Sequence, residues 1–203
     1  MNEAAPIPHP ESLQQSLVWS PSEQDQAEVF RRSAEVYDAF TQFSSDRGLI
    51  GLGSVKSNPV VEHIMATTFN CEPFKDQSQV EAGTARGCPI MLRYRDDDLK
   101  PESCMAGTRL SASEFPKTPG IMFEKQDGSW DICKWNEKTE DAAMVFYIHR
   151  EALGRMEMVI GGFSGRATRM LARTLATRGE DFWPPVYSGH GVQVGAFVLQ
   201  FSF

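Results

Sequence analysis

The stretch over residues 155–177, RMEMVIGGFSGRATRMLARTLAT, constrains the fold of this chain more than any other. Its apolar beginning, residues 156–160, predicts a buried strand, and the pair of glycines that follows predicts a tight turn. Apolar residues then recur at helical spacing, with Ser164 placed as the N-cap and Gly179 just past the C-terminus. The stretch therefore predicts a strand, a glycine turn and a helix in direct succession.

A turn of this kind predicts an anion-binding site, because backbone N–H groups point outward at a helix N-terminus and the helix dipole favours negative charge. The alternative is a tight turn and a cap with no ligand. The order of residues is not that of a nucleophile elbow or of a P-loop. We call this the second turn, because a similar one lies earlier in the chain. Its candidate ligand-binding residues are Gly161, Gly162, Ser164, Gly165 and Arg166.

A similar unit lies earlier in the chain, where a short apolar strand over residues 49–53 leads into a loop and a helix. Pro59 fits the first helical position after an N-cap residue. Lys56 stands where a dinucleotide-binding fingerprint has its third glycine. The pattern therefore assigns no nicotinamide or flavin cofactor, and the cofactor is unknown. The alternative for that lysine is a solvated side chain. The candidate ligand-binding residues of this first turn are Ser54, Lys56, Ser57 and Asn58.

Two such units favour an α/β fold, which we expect to be three-layered and Rossmann-like, with helices on both faces of one sheet. Residues 142–149 form an apolar run typical of a central strand, and only residues 150–154 separate it from the strand that begins at 155. This link is too short for a crossover helix, so the two strands are expected to be antiparallel and the sheet mixed. We expect both turns to lie on the same edge of that sheet.

The domain organisation follows from composition along the chain. Residues 1–20 are rich in Pro, Ser and Gln and predict a flexible arm. Residues 21–44 predict an amphipathic helix capped by Ser20, and residues 45–203 predict the α/β domain. The helix is expected either to cover that domain or to contact a partner, including a second copy of the chain. Within the domain, Asp127 and Gly128 predict a β-hairpin, and residues 192–203 a final strand.

Charge and composition exclude several functional classes. The net charge of −7 and the isoelectric point of about 5.1 argue against direct binding to nucleic acid. No apolar run reaches the length of a membrane span, so no membrane partner is expected. The four cysteines form no CxxC pair and are typical of reduced thiols in a cytoplasmic protein.

Three further clusters were weighed as sites. The carboxylates at residues 96–98 and Glu102 are more typical of a solvated loop than of a metal site, so no metal is predicted. Ser164 and His190 could form a nucleophile and base, but no acidic partner is identifiable, and whether the chain is an enzyme is left open. Three arginines share one helical face and could contact an acidic partner or simply be solvated: Arg166, Arg169 and Arg173.

The pairing of GSVKSNPV with the later GGFSGRATRMLARTLA resembles uncharacterised bacterial α/β (Rossmann-like) domains that follow helix-turn-helix regions of the repressor type. The resemblance covers about residues 45–203 and implies a ligand-sensing or regulatory module, although this chain has no evident helix-turn-helix. The first hypothesis is therefore a non-catalytic module that binds a small anion or nucleotide. The alternatives are a hydrolase or transferase acting on a phosphorylated or carboxylated small molecule, and a protein-interaction module.

Overall fold

The computed structural model describes residues 25–42, 47–74, 88–98, 103–105, 117–182, 187–189 and 192–203, with only the backbone described for 187–189. Over these ranges the chain forms three helices and eight strands, an α/β arrangement as predicted. None of these helices is long and apolar enough to cross a membrane. The helices are α1 (Gln26–Thr41), α2 (Val60–Phe69) and α3 (Gly165–Arg178), and the strands are β1 (Arg47–Leu52), β2 (Ile90–Arg93), β3 (Gly120–Glu124), β4 (Trp130–Lys134), β5 (Glu140–Arg150), β6 (Arg155–Gly162), β7 (Tyr187–Gly189) and β8 (Val192–Ser202).

The larger sheet contains five strands in the order β1-β6-β5-β8-β7. β1 runs parallel to β6, and the other neighbouring pairs are antiparallel, so the sheet is mixed as predicted. The predicted antiparallel pairing of β5 with β6 is confirmed, because a short 3-10 turn at Glu151–Leu153 is the only structure that links them. β5 lies in the centre, which explains why its residues 141–148 are all buried.

The smaller sheet contains three antiparallel strands in the order β2-β3-β4. Its β3-β4 pair is the predicted hairpin, and Gly128 adopts the left-handed φ of +80° that the turn requires. The sequence predicts a single sheet, and this prediction is wrong for β2, β3 and β4, which pair separately. Strand partners are set by contacts between distant residues, which local apolar patterns do not specify.

The larger sheet is covered by helices on both faces. Alternate residues of β5, such as Met144 and Phe146, pack in one core with α2, α1 and part of the smaller sheet. The residues between them, Ala143 and Val145, pack on the other face against Leu171 and its neighbours in α3. α2 and α3, which follow the two glycine turns, therefore lie on opposite sides of the sheet.

α1 packs onto α2 and onto the larger sheet through its apolar side, so this helix covers the α/β domain. The Tyr37 hydroxyl donates to Glu157 of β6 at 3.4 Å, and that buried carboxylate pairs with Arg150 at 3.0 Å. The described helix begins at Gln26, because the Asp25 carboxylate accepts a hydrogen bond from the N–H of Ala27 and acts as the N-cap. The predicted cap at Ser20 and the predicted arm lie outside the described residues.

α3 begins and ends where the sequence predicted. Ser164 is its N-cap and Gly179 its C-cap residue. Gly179 has a right-handed φ of −56°, however, and the chain continues into a 3-10 turn over Gly179–Phe182. The glycine at this position is therefore not required by a left-handed backbone conformation.

Candidate functional site

The two glycine turns lie side by side at one edge of the larger sheet, as the sequence predicted. They follow β1 and β6, which are parallel neighbours, so both turns leave the carboxyl ends of their strands. The N–H of Gly53 donates to the carbonyl of Ile160 at 2.9 Å. A Cβ on Gly161 would lie 2.5 Å from the carbonyl oxygen of Gly53, so only glycine permits this approach.

The chain leaves the two turns in opposite directions, toward α2 on one face and α3 on the other. In open α/β sheets this reversal between neighbouring parallel strands opens a crevice, and ligands usually bind there. Close packing holds each helix to its strand. A Cβ on Gly51 would lie 3.0 Å from Val61, and one on Gly162 would lie 2.3 Å from the backbone nitrogen of Thr168.

The polar groups of the first turn are engaged within the turn itself. Ser54 is buried, and its carbonyl accepts hydrogen bonds from the N–H groups of Ser57 and Asn58, both at 2.9 Å. The Ser57 hydroxyl donates to the same carbonyl at 3.2 Å. The Asn58 amide donates to the carbonyl of Leu52 and accepts from the N–H of Val60. The second contact is of the capping kind that the sequence predicts for Asn58, although the N-cap position itself is Pro59.

Lys56 is bound to a carboxylate of the same chain. Its ammonium lies 2.9 Å from Asp98 and 4.9 Å from the centre of the Phe163 ring. Asp98 also accepts a hydrogen bond from the Arg95 guanidinium at 2.9 Å. Burial raises the pKa of the Asp98 carboxyl, but the hydrogen bonds from Arg95 and Lys56 outweigh burial and lower that pKa below its ordinary value. Lys56 is therefore a partly buried ammonium paired with a carboxylate rather than a solvated side chain.

The second turn holds an internal carboxylate near the N-terminus of α3. The Ser164 hydroxyl accepts from the N–H of Arg166 at 3.0 Å and of Ala167 at 3.4 Å, and it donates to the Asp141 carboxylate. Asp141 is almost fully buried and also accepts from the N–H of Ala142. The negative charge that the helix dipole favours is thus partly supplied by the protein itself.

A groove of about 530 Å³ opens beside the second turn. Ser164 and Arg166 line it, whereas the four candidate residues of the first turn do not. Two of its cations rest on aromatic rings: Arg95 lies 4.9 Å from the centre of Trp135, and Arg166 lies 3.1 Å from the centre of Phe203. The charged residues of the lining are three cations and four carboxylates, namely Arg95, Lys117, Arg166, Asp96, Asp97, Glu137 and Asp141.

A comparison with known protein families, curated proteins and solved structures finds no match for the chain. The groove and the turns are therefore interpreted from their own chemistry. A guanidinium presents paired N–H donors that match the oxygens of phosphate and carboxylate groups. The face of an indole ring accepts a flat aromatic ligand. Arg166 could bind an anionic group, whereas the Arg95 guanidinium is already bound to Asp98 and lies over one face of the Trp135 ring.

The other clusters from the sequence are only partly described. His190 and Glu102 lie outside the described residues, so neither the Ser164–His190 pair nor the full acidic cluster can be located. Over the described part of the chain, no group of three or more His, Cys, Asp or Glu is arranged to hold a metal. Arg169 and Arg173 are exposed on the side of α3 that faces away from the sheet.

Sequence reasoning did not identify Arg95, Asp98, Trp135, Asp141 or Phe203 as residues of this edge. Asp141 could have been found, because it directly precedes the apolar run of β5. Since β5 was expected to run antiparallel to β6, its first residues had to lie beside the end of β6. No local pattern indicates that the remaining four residues lie at this edge, because each follows a strand that is separated in the sequence from both turns: Arg95, Asp98, Trp135 and Phe203.

Proposed function

We propose that the chain is a non-catalytic regulatory module that binds a small anionic ligand, a nucleotide or a sugar phosphate. The observation that carries this proposal is that Arg166, in the first turn of α3, lines the groove together with Ser164. The proposal includes a Rossmann-like, three-layer description of the larger sheet with its helices, and a cytoplasmic location. Direct binding to nucleic acid or to a membrane is not part of it.

The ligand is proposed to bind in the groove rather than between the two turns. The side chains of Lys56, Ser57 and Asn58 already have partners within the chain, and Ser54 is buried. Their role in this proposal is to shape the first turn and to hold Asp98 and Arg95 in place. Gly161 and Gly162 allow the second turn to pack closely, and this places Arg166 at the groove. A Cβ on Gly165 would meet only the end of the Arg169 side chain, at 3.9 Å, so Gly165 is not required for this packing.

The mixed charge of the groove narrows the ligand further. Four carboxylates line it, so a ligand with negative charge throughout would be repelled by part of the wall. A nucleotide satisfies both kinds of group, because its phosphates can contact Arg166 while amino groups on its base donate to a carboxylate.

Thermal unfolding in the presence of nucleotides and of sugar phosphates tests the proposal. A ligand at about 100 times its dissociation constant adds about 2.7 kcal/mol to stability, which raises the Tm of a chain this size by about 5–10 °C. We expect Arg166→Ala to abolish the shift. Arg173→Ala is the matched control, because Arg173 is exposed on the same helix but does not line the groove.

Two results would contradict the proposal. One is that no compound of either class shifts the Tm of the wild-type chain. The other is that Arg173→Ala reduces the shift as much as Arg166→Ala, since this would indicate general attraction to the arginines of α3. Turnover of a phosphorylated or carboxylated compound would instead support the alternative that the chain is a hydrolase or transferase.

A further inference from the structure

The outer edge of β1 is exposed and apolar. β1 is an edge strand of the larger sheet, and among the described strands only β6 pairs with it. Two of its side chains, Ile50 and Leu52, are 37% and 44% exposed. Edge strands of native sheets usually carry a charge, a proline or a bulge that prevents pairing with another strand. β1 begins with the exposed charge of Arg47, but the rest of the strand, from Gly48 to Leu52, contains none of these.

The hydrogen bonds of β1 show which of its residues face outward. The N–H groups of Arg47 and Gly53 donate inward, to the carbonyls of Gly154 and Ile160. Because the direction alternates along a strand, the backbone groups of the even-numbered residues between them point away from β6. The carbonyl of Leu52 agrees with this, since it accepts from the Asn58 side chain on the outer side.

We propose that β1 pairs with β1 of a second copy of this chain, antiparallel and about a twofold axis at Ile50. In this register Ile50 lies opposite Ile50 of the second copy, and Gly48 lies opposite Leu52. Both pairs join residues whose backbone groups face outward, as an antiparallel ladder requires. The carbonyl of Leu52 already accepts from the Asn58 side chain, and its second lone pair would accept from the N–H of Gly48 of the second copy. A register shifted by one residue would pair outward-facing with inward-facing residues and would form no ladder.

The side chains of β1 are also complementary to themselves in this register. Leu52 lies opposite Gly48, and Leu49 lies opposite Gly51, so each leucine meets a glycine that leaves room for it. Gly51 faces α2, where a Cβ would contact Val61, so Ile50 and Leu52 project from the other face of the sheet. Two copies would bring four exposed apolar side chains together on the face that carries α3. This self-complementarity favours a second copy over a foreign strand.

The interface is independent of the proposed anion site. The two strands would run in opposite directions, so the turns that follow β1 would lie at opposite ends of the shared sheet. It also differs from the partner contact expected of α1, whose apolar side is buried within the chain. A failure of the ligand experiment above would therefore leave this proposal standing, and the reverse also holds.

The first test is the molar mass of the whole chain by sedimentation equilibrium over a series of concentrations, because an interface of small area is weak. We expect a dimer whose population rises with concentration. Ile50→Lys places a charge at the axis and should give a monomer at every concentration. Ala196→Lys is the matched control, because Ala196 is exposed on β8 of the same sheet, and it should leave the dimer unchanged.

The second test is crosslinking, which also serves if Ile50→Lys does not fold. Ile50→Cys should form a disulfide-linked dimer under mild oxidation, because residues opposite each other lie about 5.5 Å apart. Leu52→Cys should not, because residue 52 would be about 13 Å from its own copy. The wild-type chain, with its four cysteines, gives the background. A monomer throughout, a dimer that survives Ile50→Lys, or equal crosslinking by both cysteine variants would overturn the proposal.

Discussion

Gly161→Ala tests whether the close approach of the two turns stabilises the fold. The new Cβ would lie 2.5 Å from the carbonyl oxygen of Gly53, 2.7 Å from its carbon and 3.1 Å from the nitrogen of Ser54. All three are backbone atoms, and the hydrogen bond from Gly53 to Ile160 holds them in place. The clash cannot be relieved by rotating a side chain, so β1 and β6 must move apart at this end.

The cost follows from what is known of overpacking. Inserting a methyl group where the surroundings cannot yield costs about 1–3 kcal/mol, and backbone contacts belong at the upper end of that range. We expect Gly161→Ala to lower the free energy of unfolding by about 2–3 kcal/mol, which lowers the Tm by about 5–10 °C. Urea denaturation gives the free energy, and hydrogen exchange at the N–H of Gly53 shows whether the contact with β6 has opened.

Gly179→Ala is the matched control for this experiment. A Cβ there would have no neighbour within 4 Å, and its φ of −56° suits any residue. We expect a small gain in stability, about 0.5 kcal/mol, because alanine restricts the unfolded chain. If Gly161→Ala stayed within 0.5 kcal/mol of the wild type, or if both variants cost the same, the reasoning about the turns would be wrong.

Three further outcomes follow from single contacts. Ser164→Ala removes the cap of α3 and should cost about 1 kcal/mol in urea denaturation, and no change would show that the cap does not stabilise the helix. Burial lowers the pKa of His63 below its ordinary 6.5, so the stability linked to it is complete above pH 6.5 and is lost as pH falls. His63→Gln should therefore flatten the decline of the urea midpoint between about pH 7 and 5. Lys56→Met leaves Asp98 without one of its partners and should lower the free energy of unfolding by about 1–2 kcal/mol. The ligand-induced Tm shift should remain, because the Lys56 ammonium is held by Asp98, and loss of the shift would place Lys56 in the site.

The parts of the fold that the sequence predicted are those fixed by short-range rules. The succession of β6 and α3 follows from two glycines and a capping serine, and the structure has the strand, the cap and the helix in the predicted order. The predicted place of the turn is wrong, because Gly161 and Gly162 are paired residues at the end of β6 and the chain turns at Phe163 and Ser164. The direction of β5 follows from a link of five residues, which leaves no room for a crossover. The neighbouring position of the two turns was a longer inference, and it holds because β1 and β6 pair directly.

The smaller sheet and the groove could not be predicted because they depend on residues far apart in the chain. Arg95 follows β2, Trp135 follows β4 and Phe203 follows β8, and nothing near any of them indicates that they meet. The same limit applies to charge. A glycine turn indicates where an anion could bind, but the pattern does not show that Asp98 and Asp141 of the same chain lie beside these turns.

The internal carboxylate at α3 leads to a prediction about affinity. Asp141 lines the groove and accepts a hydrogen bond from Ser164, so its charge lies where a bound anion would interact with the helix end. Asp141→Asn removes that charge at almost constant size. Two like charges about 8 Å apart repel by about 2 kcal/mol at an effective dielectric constant of 20, before screening by salt. We expect the variant to bind an anionic ligand of the groove about tenfold more tightly by calorimetry.

The gain should be accompanied by a loss of stability. Ala142 and Ser164 donate to different oxygens of the Asp141 carboxylate, and an amide replaces one of these oxygens by an NH2 group, so one hydrogen bond is lost. The free energy of unfolding should therefore fall by about 1 kcal/mol. Glu137→Gln is the control, because it removes the same charge from an exposed position on the groove and should have a smaller effect. If Asp141→Asn instead weakened binding as much as Arg166→Ala, Asp141 would be a ligand contact. The end of α3 would then recognise a donor group rather than an anion.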